Sequence, residues 1–380
     1  MSNVTMYDIG LEQAVKNIVT MGSKRTILFQ GHIGSGKSSM LDMVHQHPDL
    51  QEEYKHKDGT VKSRPTHIPF YFDCTTKLDS GDVVIPKMKE LDKCDYFRFA
   101  TNEELGVHID KPIILMIDEY GKGNRSLQNS MLRLMLERKM GNRSLHPDSI
   151  IFATTNLADE GVGDLLPNHA RNRITVSRMR KPDADELIEF GYNTGRIDPI
   201  VMGWVKDNPH VLQSYEDVHN PQDNEYIFHP RQHRDAFVTP RSIEAASGWI
   251  IKRDKVDTVS LTNALIGTVG APAAMSMLAF IKFADELPKL EDIKRDPENA
   301  KIPTSAAAVC LVVYRTLSTI ETSWVPAWVK YMRRLDAEAQ GLFGKSAAKA
   351  NYSKRNVVFS KKEFMEWARE KSYLFSADKV

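Results

Sequence analysis

Residues 31 to 38 read Gly31-His32-Ile33-Gly34-Ser35-Gly36-Lys37-Ser38, with Ser39 following. Glycines let successive backbone N–H groups turn inward with no side chain in the way, and such a nest binds anionic oxygen. The run fits G-x-x-x-x-G-K-[ST], in which the Lys37 ammonium reaches the β- and γ-phosphates of a nucleotide and the Ser38 hydroxyl takes Mg²⁺. A second run, Ile113-Ile-Leu-Met-Ile, ends in the adjacent carboxylates Asp118 and Glu119. There Asp118 is expected to hold the Mg²⁺ water shell and Glu119 to polarise a water for attack. A third, Ile150-Ile-Phe-Ala-Thr-Thr, delivers Asn156, an amide suited to ordering that water or sensing the terminal phosphate. Each has a plainer reading, as a Gly-rich turn, a solvated strand end or a turn-forming Asn. Their order and spacing favour the chemistry.

These residues need a scaffold that brings strand ends together. Strand-like runs recur at 26–30, 67–73, 113–118, 150–154 and 174–178, separated by helical or loop material, and this alternation predicts a parallel sheet with helices on both faces. Ligands sit at the carboxyl ends of such strands, where all three motifs fall. Apolar spacing predicts a short amphipathic helix within 6–21. Beyond Lys181 the pattern is helical only, with candidates at 183–190, 199–206, 240–253, 260–266, 271–284, 305–317 and 328–342. The polar segment 210–238 reads as a loop and 289–303 as a charged linker. Three domains are expected: 1–181 as the nucleotide-binding core, 182–288 as a helical lid, and 289–380 as a helical extension with a basic tail.

Composition narrows the class. The chain has 380 residues, 41% hydrophobic and 27% charged, with a formal net charge of +1, so its overall field gives no argument for nucleic acid or an anionic membrane. Cys74, Cys94 and Cys310 are odd in number and lack CxxC spacing, which suggests neither a disulfide framework nor a zinc site. No leader and no apolar run of membrane-spanning length is seen, so a cytoplasmic location without a membrane partner is expected. His229 and His233 have i, i+4 spacing, but Pro230 lies between them and no further ligand follows. Lys345, Lys349, Lys354 and Arg355, with Tyr352 among them, read as a solvated basic tail in preference to a nucleic-acid grip.

With these motifs in this order the chain resembles an AAA+ ATPase. Asn168-His169-Ala170-Arg171-Asn172-Arg173-Ile174 looks like the segment that carries the arginine finger, and Thr239-Pro240-Arg241-Ser242 looks like sensor 2 at the start of a lid helix. More narrowly it is similar to the MoxR-like branch: a long insertion at 74–111 precedes the second motif, and a short hairpin at 137–146 precedes the third. That branch usually has Leu-Asp-Arg-Phe where this chain has Arg171-Asn172-Arg173-Ile174, and register favours Arg173 over Arg171 as the finger. The resemblance implies ATP and Mg²⁺ as ligands and a homo-oligomeric ring, favouring a hexamer. It also implies a protein client, reached through a partner with a von Willebrand factor A domain. An ATP-driven nucleic-acid motor and a slow nucleotide-gated scaffold are the alternatives.

Overall fold

The computed structural model describes residues 7–56, 60–87, 98–157, 160, 172–285 and 287–375. The chain divides into two compact units, Met1–Lys181 and Pro182–Val380.

The first unit is built on five parallel strands: β1 (Ile27–Gly31), β2 (Ile68–Asp73), β3 (Ile113–Asp118), β4 (Ile150–Thr155) and β5 (Thr175–Met179). Their order across the sheet is β5-β1-β4-β3-β2, every neighbouring pair parallel. Strands β3 and β4 are buried along their whole length, as expected of a sheet covered on both sides. Successive side chains go to opposite faces. Leu28, Ile113, Leu115, Ile117, Ile151 and Ala153 pack with helix α3 (Arg125–Glu137) through Leu127, Met131 and Leu134. Ile27, Phe29, Ile114, Met116, Ile150 and Phe152 pack with α1 (Leu11–Met21) and α2 (Met40–His45). The chain leaves β1 for the far edge at β2 and fills inward through β3 and β4, so the loop after β1 sits at a topological switch point. All five expected strands are present, each within one residue of its expected bounds.

Two hairpins flank the sheet. Lys139–Met140 pairs with Arg143–Ser144, in the segment where a short hairpin was expected, and Val84–Pro86 pairs with Phe99–Thr101 inside the 74–111 insertion. A third, Gln51–Lys55 with Val61–Pro65, was not anticipated; its exposed, polar residues give no alternation to read.

The second unit is helical: α4 (Ala184–Thr194), α5 (Pro199–Asp207), α6 (Pro240–Ile251), α7 (Thr258–Val269), α8 (Ala271–Asp285), α9 (Leu290–Arg295), α10 (Ala306–Thr319), α11 (Val325–Met332), α12 (Ala337–Ala348), α13 (Arg355–Phe359) and α14 (Lys362–Glu370). Helix α10 is buried nearly all round, the mark of a central helix. One hydrophobic core runs from Leu187 to Trp367, across the expected 288/289 boundary. The single helix expected over 328–342 is two: Asp336 caps α12 by accepting from Ala339 N–H, which restarts the backbone after Arg333 to Leu335. Within the segment 289–303 lies α9, anchored by buried Ile293. The segment 210–238 has no α-helix; Tyr215, Val218 and Ile227 give it a small core of its own, and Arg234 binds the carbonyls of Pro221, Asn224 and Ile227.

Candidate functional site

The loop after β1 turns on two glycines in the left-handed region, Gly34 at φ 70° and Gly36 at φ 89°. A side chain there would strain the backbone by roughly 1–2 kcal/mol, which accounts for glycine at both positions. Helical backbone follows at once, a tight turn at Lys37–Ser39 running into α2.

Lys37 is buried, 6% exposed. Its ammonium donates to Gly31 O at 2.9 Å, His32 O at 2.8 Å and Asn156 Oδ1 at 2.8 Å. Asn156 follows β4, and its Nδ2 donates in turn to Glu119 Oε1 at 3.3 Å. One amide therefore joins the loop cation to the carboxylate after β3, across three adjacent strands. Since Oδ1 faces a cation and Nδ2 a carboxylate, the orientation of the amide is fixed by charge.

Asp118 ends β3 and is 5% exposed. Its Oδ2 accepts from Tyr71 Oη at 2.8 Å and lies 3.5 Å from Ser38 Oγ. Its Oδ1 accepts from Thr154 Oγ1 and from Glu119 N–H. A carboxylate so provided with donors is held in one orientation. Burial and this carboxylate push the Tyr71 phenol well above its usual range, so it remains a donor. Cys74 lies nearby, and burial reinforced by Asp73, Asp118 and Glu119 pushes its thiol up to about 12, which leaves it no nucleophile.

Glu119 adopts φ 52°, rare for a residue with a side chain. Lys122 Nζ lies 3.2 Å from Oε2 as an ion pair, yet that buried oxygen accepts no hydrogen bond among the described residues. A strained backbone presenting an under-bonded carboxylate oxygen is a feature of reactive sites.

The structure brings Gly31, His32, Ile33, Gly34, Ser35, Gly36, Lys37 and Ser38 together with Asp118, Glu119 and Asn156. Arg173 is elsewhere: it is exposed and precedes β5, whose Met179 pairs with Gly31. Thr175 to Met179 alone spans about 13 Å, so Arg173, before the start of the strand next to β1, lies toward the opposite end of the strands from its own loop. Arg171 lies outside the described residues. Arg241 is exposed in the first turn of α6, behind a Thr239 cap that accepts from Ser242 N–H at 3.0 Å.

Sequence reasoning missed Tyr71, Thr154, Lys122 and Glu160. Thr154 and Tyr71 were inside strands already identified, and their hydroxyls near strand ends were the available signal; Glu160 had none. The basic stretch proves to be partly core. Tyr352 is buried, its hydroxyl on Leu317 O, while Lys349 pairs with Glu189 and Lys354 donates to Ser318 O. Both ring nitrogens of His229 are engaged, Nδ1 accepting from Arg231 N–H and Nε2 facing Val218 O. Among the described residues no helix is long and apolar enough to cross a membrane.

No protein-family model matches the chain, and no curated protein matches it. Among solved structures it is similar to the RuvB Holliday junction branch migration motor of Thermotoga maritima, at 12% identity and TM-score 0.35, covering 72% of this chain and 68% of that one. It is also similar to a proline-to-glycine mutant of the same RuvB, at 12% identity and TM-score 0.31 over 96% and 92% of the two chains. A third is NtrX of Brucella abortus, at 14% identity and TM-score 0.31 over 73% and 69%. Superpositions this loose leave the functional reading to the geometry of the site.

Proposed function

We propose that this chain is a Mg²⁺-dependent ATPase of AAA+ type that works as a ring and remodels a bound protein. The observation that carries the reading is the line Lys37–Asn156–Glu119, a phosphate-binding cation and a water-activating carboxylate joined through one amide. The residues fit the ligands. Ser38 and Asp118 offer hard oxygen donors 3.5 Å apart, suited to Mg²⁺ and its water shell. When bound, Mg²⁺ supplies charge neutralisation on the phosphate oxygens.

The chain's own residues do the rest. Loop N–H groups and Lys37 bind the phosphates, the ammonium exchanging carbonyl acceptors for phosphate oxygens. Asn156, released on one side, orients the attacking water beside Glu119. Glu119 Oε2 accepts the proton as the water oxygen bonds to the γ-phosphorus and ADP leaves. Beforehand that oxygen has the Lys122 ion pair and no hydrogen bond among the described residues, so little reorganisation is needed for it to take a proton. Arg173 completes the site of a neighbouring subunit, a role favoured by its distance from its own loop, and a sensing role for Arg241 belongs to this reading through sequence resemblance.

The MoxR-like assignment, a hexamer, a protein client and a von Willebrand factor A partner belong to this reading through sequence resemblance. A nucleic-acid motor, which the same ATP-driven engine could power, is less favoured: the formal net charge is only +1, and Tyr352, the aromatic member of the basic stretch, is buried. The test is a pair of variants. Lys37→Ala removes the loop's fixed cation and is expected to abolish ATP binding, whereas Glu119→Gln binds ATP with an affinity within a few-fold and loses turnover. Equal behaviour of the two in a nucleotide-binding assay overturns the division of roles.

A further inference from the structure

Glu160 stands four residues beyond Asn156, its own N–H donating to Leu157 O at 3.0 Å. Its carboxylate is 1% exposed and lies against the phosphate loop: Oε2 accepts from Ile33 N–H at 2.9 Å, and Oε1 is 3.1 Å from Nδ1 of buried His32. The Ile33 N–H belongs to the same peptide unit as the His32 carbonyl, and that carbonyl accepts from Lys37 Nζ at 2.8 Å. One peptide of the loop is thus clamped between charges, its oxygen toward the ammonium and its N–H toward the carboxylate. A peptide dipole aligned between an anion and a cation strengthens both hydrogen bonds, because each polarises the group that makes the other. The clamp therefore holds Lys37 on the loop backbone and puts a negative charge beside a site for polyanions.

We infer that Glu160 is a positioning residue that sets the affinity of the loop for polyphosphate, holding the His32–Ile33 peptide so that its carbonyl competes with phosphate oxygens for Lys37. The inference rests on the ATPase reading and deepens it. Entry of a phosphate chain draws Lys37 off the His32 carbonyl, and the carboxylate opposes this twice, by stabilising the clamped peptide and by like-charge repulsion. Glutamine at this position keeps the shape and one acceptor oxygen but removes the charge.

The experiment measures binding of inorganic tripolyphosphate and of ATP by calorimetry to the wild-type chain, Glu160→Gln, Glu160→Asp and Lys37→Ala, with the unliganded melting temperature of each. Glu160→Gln is expected to bind tripolyphosphate about tenfold more tightly, the scale of one charge-assisted hydrogen bond. It should melt at a lower temperature unliganded and show a larger ligand-induced rise, and its KM for ATP should fall while kcat stays within a few-fold. A residue that merely supported the fold would lower stability without tightening binding. Glu160→Asp keeps the charge but is one methylene short of spanning Ile33 and His32, so it should tighten binding by a smaller factor; it carries the test if Glu160→Gln does not fold. Wild-type binding that is lost in Lys37→Ala but unchanged or weaker in both Glu160 variants overturns the inference alone. Absence of binding to the wild-type chain overturns the ATPase reading, and the inference with it.

Discussion

The two units bury different things. Among the described residues, the buried Lys37 and Asp118 belong to the α/β unit, as does the enclosed carboxylate of Glu160, and Asn156, Thr154 and His32 are buried there as well. Both units enclose aromatic rings, Tyr120, Phe29, Phe72 and Phe152 in the first and Tyr314, Tyr331, Phe343 and Phe364 in the second, but among the described residues the helical unit buries no Lys, Arg, Asp or Glu and alone encloses indoles, Trp204, Trp328 and Trp367. Burying a charge is costly unless it is paired, and a half-satisfied polar network is worse than an apolar one. The α/β unit therefore spends stability to hold a reactive constellation, while the helical unit is organised for packing. On this view, substitutions of exposed groups that serve the site of the first unit alter chemistry with small changes in stability, and substitutions in the aromatic core of the second do the reverse.

The largest effect that would test the contrast is on rate. Arg173 is exposed, so Arg173→Ala should leave stability within about 0.5 kcal/mol. If Arg173 serves a neighbouring subunit's γ-phosphate, hydrolysis falls by ~10³ or more with ATP binding nearly intact. Mixing Arg173→Ala with Lys37→Ala should restore part of the activity, at interfaces where an intact Arg173 faces an intact loop. Mixed rings that form and stay inactive would turn attention to Arg171.

The reverse case is Trp328, wholly buried and in contact with Tyr331, Phe343 and Trp324. Its indole N–H has no hydrogen-bond partner among the described residues, so its contribution is packing. Trp328→Ala should destabilise the helical unit by about 3–5 kcal/mol. All five tryptophans, at 204, 249, 324, 328 and 367, lie in that unit, so indole fluorescence follows its denaturation selectively. A loss under about 1 kcal/mol would mean that the aromatic cluster is not what holds the unit together.

The same contrast explains what could be read from the sequence. Strands β1, β3 and β4 were legible because burial on both faces leaves continuous apolar runs; Asp118, Glu119 and Asn156 were legible as polar groups at the ends of such runs, and Lys37 through the glycine spacing of the loop that follows β1. Glu160 was not, because its meaning comes from a contact with Ile33, 127 positions away in sequence. In the helical unit, periodicity located most helices but not their limits. The break between α11 and α12 depends on the Asp336 cap, and the packing of α5 and α10 in one core depends on contacts that no local pattern encodes.

The smallest expected effect bears most directly on whether the α/β unit stores strain. At Glu119 the backbone has φ 52° and ψ 36°, a conformation that costs an L-residue with a Cβ roughly 1–2 kcal/mol and glycine almost nothing. Replacing Glu119 by a residue without its carboxylate removes the contacts to Asn156 and Lys122 together, so a single variant mixes backbone relief with side-chain loss. Glu119→Ala and Glu119→Gly lose the same contacts and differ in the backbone. Helix and strand propensities do not enter, since the residue lies between β3 and the turn Tyr120–Lys122. Relief of the left-handed strain favours the glycine variant, and its greater freedom in the unfolded chain opposes that by about 0.5–1 kcal/mol. The balance leaves Glu119→Gly more stable than Glu119→Ala by up to about 1.5 kcal/mol, with turnover absent in both. Hydrogen exchange of the β3 and β4 amides measures this in the unit that contains no tryptophan. An alanine variant more stable than the glycine one by about 0.5–1 kcal/mol, the unfolded-chain contribution alone, would mean that the backbone at Glu119 carries no strain, and that its conformation is a turn geometry the surrounding chain accepts at no cost.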